Sequence, residues 1–315
     1  MKAVRFHEYG DPSVLRYEDV EQPTPGAGEV RLRVAATSFN GVDGGIRGGY
    51  LQGPFPVSLP HTPGIDVAGT VDALGEGVEG FAVGDAVVGF LPMTAPGAAA
   101  EYVIAPADIL AAAPTSIPLT DAAALPMVGL TAQQALFDDA ELQEGQRILI
   151  NGAGGAVGGY AVQLARRAGA HVIATASGRS AERVRAAGAD QVIDHTSNAV
   201  TEAVTEPVDV LLNLARIAPE ELVALAGLVG DGGVVVNTVP TIETPADEQR
   251  GVRAVGVFVR SDAEQLSELV ALVDGGELHV DVSLRVPLAE LAGLHARAEA
   301  GEVSGKVVVV VDNSN

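Results

Sequence analysis

The chain has 315 residues, of which 47% are hydrophobic and 19% are charged. This length and composition allow one large globular domain or two ordinary ones and exclude a disordered chain. The net charge of −22 at pH 7 disfavours nucleic acid and anionic membranes as partners, because both require basic protein faces. The sequence contains no cysteine, which excludes disulfides, a thiol nucleophile and a cysteine-ligated zinc ion. It has neither an apolar leader nor an apolar run of transmembrane length, so we expect a cytoplasmic protein.

The first part of the chain reads as a β-rich unit. Short runs of strand-forming residues alternate with turns rich in Pro and Gly, a pattern typical of a barrel. The predicted strands cover residues 4–6, 14–17, 29–35, 67–74, 86–89 and 101–105. The pattern then changes at Thr120, which we expect to cap a short helix over 121–125.

Helices and strands alternate from residue 131 onward. The predicted strands are 147–151, 171–175, 191–193, 208–212, 233–237 and 253–259, and the helices are 131–139, 160–168, 181–187, 219–229 and 262–274. Such alternation predicts a doubly wound parallel sheet with helices on both faces. A strand over 280–286, a helix over 288–300 and a valine-rich strand over 306–311 complete the chain. We expect that last strand to return to the first unit.

The predicted strand 147–151 runs directly into a glycine-rich turn that opens the next helix. Its glycines follow the spacing G-x-x-G-x-x-G at Gly152, Gly155 and Gly158, and not the strict G-x-G-x-x-G, because position 157 is valine. A strand, a glycine turn and a helix in this order are typical of dinucleotide binding, since the pyrophosphate approaches the N–H groups of the helix N-terminus. A tight turn without a ligand remains the alternative. The residues predicted to contact the cofactor here are Gly152, Gly155, Ala156 and Val157.

The second predicted strand of this series indicates which dinucleotide binds. An NAD-binding fold places an Asp or Glu near the end of this strand, for the ribose 2′-OH. Here Ser177 and Arg179 stand there instead. A hydroxyl and a guanidinium suit a 2′-phosphate, so we expect NADP(H), although Arg179 also fits an ordinary surface arginine. Arg183 is a weaker second candidate, and His195 is expected near the adenosine or in a structural role.

Six blocks of sequence, in order, carry a resemblance to a known family. They are 34–43 with Arg47-Gly-Gly-Tyr50, 63–69, 84–87, 99–102, 125–132 and 301–306. Together they resemble the medium-chain dehydrogenase/reductase superfamily, and specifically its zinc-independent quinone oxidoreductase (zeta-crystallin-like) branch. The resemblance implies an α/β protein with two domains, usually a homodimer. Residues 1–119 with 277–315 would form a discontinuous GroES-like β-barrel catalytic domain, and residues 120–276 a Rossmann NADP-binding domain.

The resemblance also implies roles for two residues near the nicotinamide. Asn40 stands where zinc-dependent relatives carry a catalytic cysteine, and both Asn40 and Thr131 match positions beside the nicotinamide. We predict that Asn40 orients the substrate carbonyl or the nicotinamide ribose, that Thr131 holds the nicotinamide, and that Asp43 orients the loop. The alternatives are a strand-end turn former, a helix N-cap and a capping aspartate, respectively. We predict no metal site.

The proton donor and the shape of the substrate pocket are less well indicated. Water or Tyr50 could supply a proton, and His61 is a candidate acid that also fits a structural histidine. Gly45 stands where some relatives have a tyrosine, which indicates a wider pocket or another substrate. No tyrosine is followed by lysine at the Tyr-x-x-x-Lys spacing, which argues against a short-chain dehydrogenase.

Three functions fit these residues. The first is an NADPH-dependent reductase of a quinone or an α,β-unsaturated carbonyl, a small electrophilic substrate that needs no zinc. The second is an enoyl-thioester or polyketide-intermediate enoyl reductase. The third belongs to another class, an NADPH-binding structural or sensor protein without turnover.

Overall fold

The computed structural model describes residues 1–311 of the chain. These residues group into two compact units. Met1–Met127 and the chain from Ser261 onward form the first unit, and Val128–Arg260 form the second. Within residues 1–311, no helix combines the length and the apolar character that crossing a membrane requires.

The described chain contains fifteen β-strands and nine α-helices. The strands are β1 (Lys2–Phe6), β2 (Leu15–Asp19), β3 (Glu29–Phe39), β4 (Asp66–Leu74), β5 (Ala86–Phe90), β6 (Tyr102–Pro106), β7 (Leu110–Ala112), β8 (Arg147–Asn151), β9 (His171–Ala176), β10 (Gln191–Asp194), β11 (Val208–Asn213), β12 (Val229–Asn237), β13 (Arg253–Gly256), β14 (Leu284–Pro287) and β15 (Val307–Val310). The helices are α1 (Gly41–Arg47), α2 (Leu119–Ala122), α3 (Pro126–Gln133), α4 (Ala156–Arg167), α5 (Ala181–Ala186), α6 (Val200–Ala203), α7 (Pro219–Ala226), α8 (Ala263–Asp274) and α9 (Leu291–Glu299). A π-helical segment, Gln134–Asp139, continues α3.

The first unit is built on a seven-stranded sheet. Its order is β14-β15-β3-β4-β5-β7, with β6 also paired to β3. β3 is central because its alternating sequence buries Val30, Leu32 and Val34 on one face and turns Arg31 and Arg33 away from the core. β15 pairs antiparallel with β3, so the valine-rich end of the described chain returns to the first unit as predicted.

The second unit is a six-stranded parallel sheet of order β10-β9-β8-β11-β12-β13. Its strands read as continuous apolar runs, with Ile148, Leu149 and Ile150 fully buried in β8, because parallel sheets are covered on both faces. The predicted doubly wound sheet is therefore confirmed. Its strand order reverses between β8 and β11, and in such sheets ligands bind in the crevice at the carboxyl ends of the strands at that reversal.

Several predicted boundaries are wrong. α3 begins at Pro126, a residue well suited to the first helical position, so Thr131 lies inside the helix and is not its N-cap. Thr120 is also inside a helix, because α2 begins at Leu119. α4 begins at Ala156, directly after the glycine turn, and not at residue 160. α7 ends at Ala226, and Val229, predicted as the last residue of this helix, instead begins β12.

The predicted domain limits differ in detail from the compact units. α8 lies within the predicted second domain, but it packs against β7 of the first unit. The limits 1–119 with 277–315 and 120–276 therefore stay a prediction about functional domains. Residues 312–315 of the first predicted domain lie outside the described residues.

Candidate functional site

The glycine turn lies at the carboxyl end of β8, beside the reversal in strand order. Gly152 has a φ of +89°, and its N–H donates to Oγ1 of Thr175 at 2.8 Å. Gly155 is the N-cap of α4, and its N–H donates to the carbonyl of Gly152 at 3.0 Å. The first N–H groups of the helix, beginning at Ala156 and Val157, lack partners within the helix and favour an anion. The turn therefore has the geometry that a pyrophosphate requires.

The space around the glycines separates two roles. A Cβ on Gly158 would lie 2.4 Å from Cα of Ala153, so this glycine is needed for the helix to pack against the turn. A Cβ on Gly155 would meet only the carbonyl oxygen of Gly152, at 3.4 Å. Gly155 is exposed, so the space above it is open to a ligand. A dinucleotide pyrophosphate fits this turn.

The residues predicted for the 2′-phosphate lie at the ends of two neighbouring strands. Ser177 and Arg179 directly follow β9, and His195 follows β10, with its N–H donating to the carbonyl of Ala176 at 3.2 Å. The Arg179 side chain is exposed and makes no hydrogen bond or ion pair within residues 1–311. The structure therefore brings Ser177, Arg179 and His195 to one edge of the sheet and leaves the guanidinium available.

One carboxylate, which sequence reasoning did not weigh, stands at this edge. Asp194 ends β10 and pairs in register with Ala176 of β9. Its Oδ1 accepts hydrogen bonds from the N–H of Thr196 at 3.0 Å and from Oγ1 of Thr196 at 2.6 Å, and these bonds lower the pKa of Asp194 below its usual value. The Asp194 carboxylate is thus hydrogen-bonded within the loop that follows β10.

Arg183, the weaker second candidate for the phosphate, lies on α5 and has a contact that the sequence did not indicate. Its Nη2 donates to the carbonyl of Gly154 at 2.7 Å, within the glycine turn. This contact joins α5 to the turn, so Arg183 supports the shape of the predicted pyrophosphate site in addition to any contact with a phosphate.

In the first unit, Asn40 belongs to a buried polar network. Its Nδ2 donates to Oδ2 of Asp66 at 2.8 Å, and its Oδ1 accepts from Nζ of Lys306. Lys306 also pairs with Asp66 at 3.1 Å, and Ser38 donates to the same carboxylate oxygen. Asp66 and Lys306 are almost completely buried, so each needs the opposite charge of the other to offset the cost of burying its own. The orientation of the Asn40 amide is therefore set by two charged neighbours.

Asp43 lies in the first turn of α1 and is also buried. Its Oδ2 accepts from the N–H of Asn40 at 2.9 Å, and its Oδ1 accepts from the N–H of Gly64 at 3.1 Å. These bonds tie α1 to the loop that precedes β4. Burial is the largest influence on this carboxyl, and it raises the pKa of Asp43 to about 7.

Thr131 and His61 are both buried. Thr131 lies in the interior of α3. His61 packs edge-to-face on Phe6 with ring centroids 5.4 Å apart, and the backbones of these two residues exchange hydrogen bonds at 2.9 Å. Burial lowers the pKa of His61 to about 4, so its ring is neutral at pH 7 and holds no proton to give as an imidazolium.

The segment predicted to shape the substrate pocket comprises the second half of α1 and the turn after it. Tyr50 is 85% exposed. A Cβ on Gly45 would lie 2.6 Å from Cδ1 of Leu51, so the leucine side chain occupies the space beside this glycine. The space that a side chain at position 45 would take is thus partly occupied by Leu51.

Comparison with known proteins covers both units. A profile described as the alcohol dehydrogenase GroES-like domain matches residues 26–115, and one described as zinc-binding dehydrogenase matches residues 187–309. The chloroplast envelope quinone oxidoreductase homolog of Arabidopsis thaliana is 32% identical over 98% of each chain. The chain belongs to the quinone oxidoreductase branch of the medium-chain dehydrogenase/reductase superfamily. It is an oxidoreductase with a GroES-like domain and a Rossmann-type sheet, as the resemblance implied.

Two solved structures of this superfamily carry the same fold with different cofactor descriptions. The Escherichia coli quinone oxidoreductase complexed with NADPH is 27% identical and has a TM-score of 0.88 over 98% of this chain and 100% of that one. A structure described as an NAD-dependent alcohol dehydrogenase is 30% identical and has a TM-score of 0.90 over 99% and 100%. The same fold is therefore described with both dinucleotides, so the fold by itself does not select one of them.

One of the matching family profiles is named for zinc binding. The present chain, however, contains no cysteine that could bind zinc. Across residues 1–311, no group of three or more His, Cys, Asp or Glu side chains is placed to hold a metal ion.

Asp66 and Lys306 are the site residues that sequence reasoning missed in this oxidoreductase. Both lie in blocks that carry the family resemblance, but neither was given a role. The available signal was a charged residue at the edge of an apolar run: Asp66 opens β4, and Lys306 immediately precedes the valines of β15. A buried charge in such a place requires a partner, and the partner lies far away in the sequence.

Proposed function

We propose that this protein transfers a hydride from NADPH to a quinone or an α,β-unsaturated carbonyl, without a zinc ion. The observation that carries the proposal is the end of β9, where Ser177 and an available Arg179 lie at the same sheet edge as the glycine turn. A 2′-phosphate takes charge-assisted hydrogen bonds from such groups. The NADPH-complexed Escherichia coli structure supports the same cofactor.

Bound NADPH supplies the hydride, and the protein supplies position and hydrogen bonds. A substrate without a metal ion to polarise it must be electrophilic itself, as quinones and enones are. For a quinone, the net addition of one hydride and one proton gives the hydroquinone. For an enone, hydride adds to the β-carbon, and a proton added to the α-carbon of the resulting enolate gives the saturated carbonyl. Because His61 is neutral at pH 7, we favour water or a side chain other than His61 as the proton source.

Within this proposal, the predicted residues keep separate tasks. Gly152, Gly155, Ala156 and Val157 bind the pyrophosphate; Ser177, Arg179 and His195 bind the adenosine end; Thr131 holds the nicotinamide. Asn40 orients the nicotinamide ribose or the substrate carbonyl. The Asn40 amide nitrogen carries two hydrogens, and its bond to Asp66 uses one of them. Asp43 acts on Asn40 and its loop through the backbone N–H of Asn40.

A direct assay tests the proposal. The purified protein is mixed with NADPH and, in separate reactions, 1,4-benzoquinone, 9,10-phenanthrenequinone, a cyclic enone and an enoyl-CoA, and the loss of NADPH absorbance is followed. We expect turnover with the quinones or the enone, and slower turnover with NADH. Turnover confined to the enoyl-CoA would replace the proposal with an enoyl-thioester reductase. Tight NADPH binding without oxidation by any acceptor would indicate a sensor or structural role.

We also propose that the protein is a homodimer in the cytoplasm. β13 ends the strand order of the parallel sheet, and Phe258, shortly after it, is 71% exposed. An edge strand with an exposed aromatic neighbour is a natural surface for a second copy. Light scattering coupled to gel filtration tests the dimer, and a monomeric mass at micromolar concentration contradicts it. Cell fractionation tests the location.

A further inference from the structure

Four neighbouring strands of the second unit each carry a buried polar side chain at or next to their carboxyl end. They are Thr175 of β9, Asn151 of β8, Asn213 of β11 and Asn237 of β12, and none is more than 6% exposed. The three asparagines lie in one register across the sheet. We call these four side chains the polar row.

The hydrogen bonds that join each side chain of the polar row to the next all run in one direction. The N–H of Gly152 donates to Oγ1 of Thr175 at 2.8 Å, and that hydroxyl donates to Oδ1 of Asn151 at 2.8 Å. Nδ2 of Asn151 donates to Oδ1 of Asn213, and Nδ2 of Asn213 donates to Oδ1 of Asn237, each at 2.9 Å. The row ends where Nδ2 of Asn237 donates to backbone carbonyls of the following loop, at 3.0 and 3.1 Å. Donors and acceptors alternate without interruption from the glycine turn to the loop after β12.

This arrangement is demanding, because a buried amide that loses its partner is costly. The strand residues before the row are apolar, including Ile150, Leu212 and Val236, and apolar side chains at the ends would also be compatible with a buried sheet. Paired amides add something that apolar packing does not provide: a defined direction and spacing between strand ends. Such a network suits a function that needs the strand ends held at fixed positions.

The polar row crosses the sheet at the place where the strand order reverses. The bond between Asn151 and Asn213 joins β8 to β11, the two strands on either side of the reversal. The backbone reinforces this connection, since the N–H of Leu214 donates to the carbonyl of Asn151 at 2.8 Å. A Cβ on Gly152 would lie 3.0 Å from the backbone nitrogen of Ala215, so the glycine turn packs directly against the loop after β11.

We propose that the polar row is a positioning network for the cofactor. It holds the glycine turn and the loops after β11 and β12 in the binding geometry before the dinucleotide arrives, so that binding does not have to order them. Cofactor affinity consequently depends on Asn237, which lies two strands away from the glycine turn. The inference rests on the proposed function only in taking NADPH as the ligand of this crevice.

The test measures NADPH binding by fluorescence titration in variants that interrupt the row at its two ends. Thr175→Val keeps the shape of the side chain and removes its hydroxyl; Asn237→Leu removes the distal amide. We expect each to weaken NADPH binding about tenfold. The double variant should lose less than the product of the two single losses, because one interruption already breaks the row. At saturating NADPH, kcat should change much less than the dissociation constant.

Two further variants separate positioning from general stability. Thr175→Ser keeps the hydroxyl and should bind NADPH like the wild type. Val235→Ala, in the core of β12 and outside the row, should lower the unfolding temperature and leave NADPH affinity unchanged.

The proposal is overturned if folded Thr175→Val and Asn237→Leu proteins bind NADPH within about twofold of the wild type, or if Val235→Ala weakens binding as much as they do. If Asn237→Leu does not fold, the comparison of Thr175→Val with Thr175→Ser decides. Absence of turnover in the wild type contradicts the proposed function alone, since the binding comparison needs no acceptor.

Discussion

Asp43 is a carboxyl group whose ionisation is opposed by burial. Burial raises its pKa to about 7, and Asp66 acts in the same direction, while the N–H groups of Asn40 and Gly64 and the charge of Lys306 act against it. In the unfolded chain the carboxyl returns to a pKa of 3.8. Folding therefore favours the protonated form, and the stability that this contributes is lost as the pH rises through about 7.

This linkage gives a pH prediction. The wild type should lose unfolding free energy relative to Asp43→Asn between about pH 5 and about pH 8, by about 2–3 kcal/mol, because the amide cannot ionise. Urea unfolding of both proteins across this range measures the difference. The other ionisable groups are the same in both proteins, so their contributions to the pH dependence cancel in the comparison. A difference that is constant with pH would show that Asp43 is already ionised throughout.

Arg179 carries the cofactor preference in the proposed function. Its guanidinium is exposed and has no protein partner among residues 1–311, so its removal should not disturb the fold. We expect Arg179→Ala to weaken the binding of NADPH by about 1–2 kcal/mol and to leave the binding of NADH nearly unchanged. Michaelis constants for both cofactors measure this. Arg185→Ala, an exposed arginine on α5, controls for the loss of one positive charge, and equal losses for NADPH and NADH would refute the assignment.

At the scale of the element, two glycines at the start of α4 have different roles: Gly155 leaves space for the cofactor, and Gly158 lets the helix pack against the turn. Gly155→Val should fold normally, since the N-cap has φ −81° and ψ 179°, which valine adopts readily, but its side chain fills the space above the turn and should abolish NADPH binding. Gly158→Ala should instead lower the unfolding free energy by about 1–3 kcal/mol, because its Cβ meets the backbone of Ala153. Thermal unfolding and NADPH titration on both variants check the contrast. A misfolded Gly155→Val protein would contradict it.

Elements were predictable where the local signal was unambiguous. β8 was predicted at its observed limits, because a short apolar run stands between a charged residue and a glycine turn. β12 was predicted to begin at Gly233 and begins at Val229, since Gly230 and Gly232 interrupt the apolar run although sheet pairing continues. α1 was not predicted at all, because Gly41, Gly44 and Gly45 are poor helix formers.

The candidate site was predictable in its parts and not in its connections. The glycine turn and the absence of an acid after β9 are local features, so the sequence indicates both. The pairing of Lys306 with Asp66, and the polar row from Thr175 to Asn237, join residues that are distant in the chain. Their contacts depend on strand order and register, which no local pattern specifies.

At the scale of the whole molecule, the net charge of −22 has to be reconciled with an anionic ligand. The glycine turn and Arg179 attract phosphate over a few ångströms, whereas the summed charge repels it over a Debye length, about 30 Å at 0.01 M salt and about 10 Å at 0.1 M. Salt screens the long-range repulsion more effectively than it weakens short contacts. NADPH should therefore associate faster as the ionic strength rises.

Stopped-flow fluorescence measures this dependence. We expect the association rate of NADPH to increase severalfold between about 0.01 M and about 0.1 M NaCl. NADH lacks the 2′-phosphate and carries less negative charge, so its rate should rise less steeply. In Arg179→Ala the rise for NADPH should be at least as steep as in the wild type, because the local attraction that salt would screen is weaker without the guanidinium. A rate that falls with salt would mean that a local positive field at the crevice outweighs the charge of the whole chain, and would place the control of cofactor capture in the few residues around Arg179.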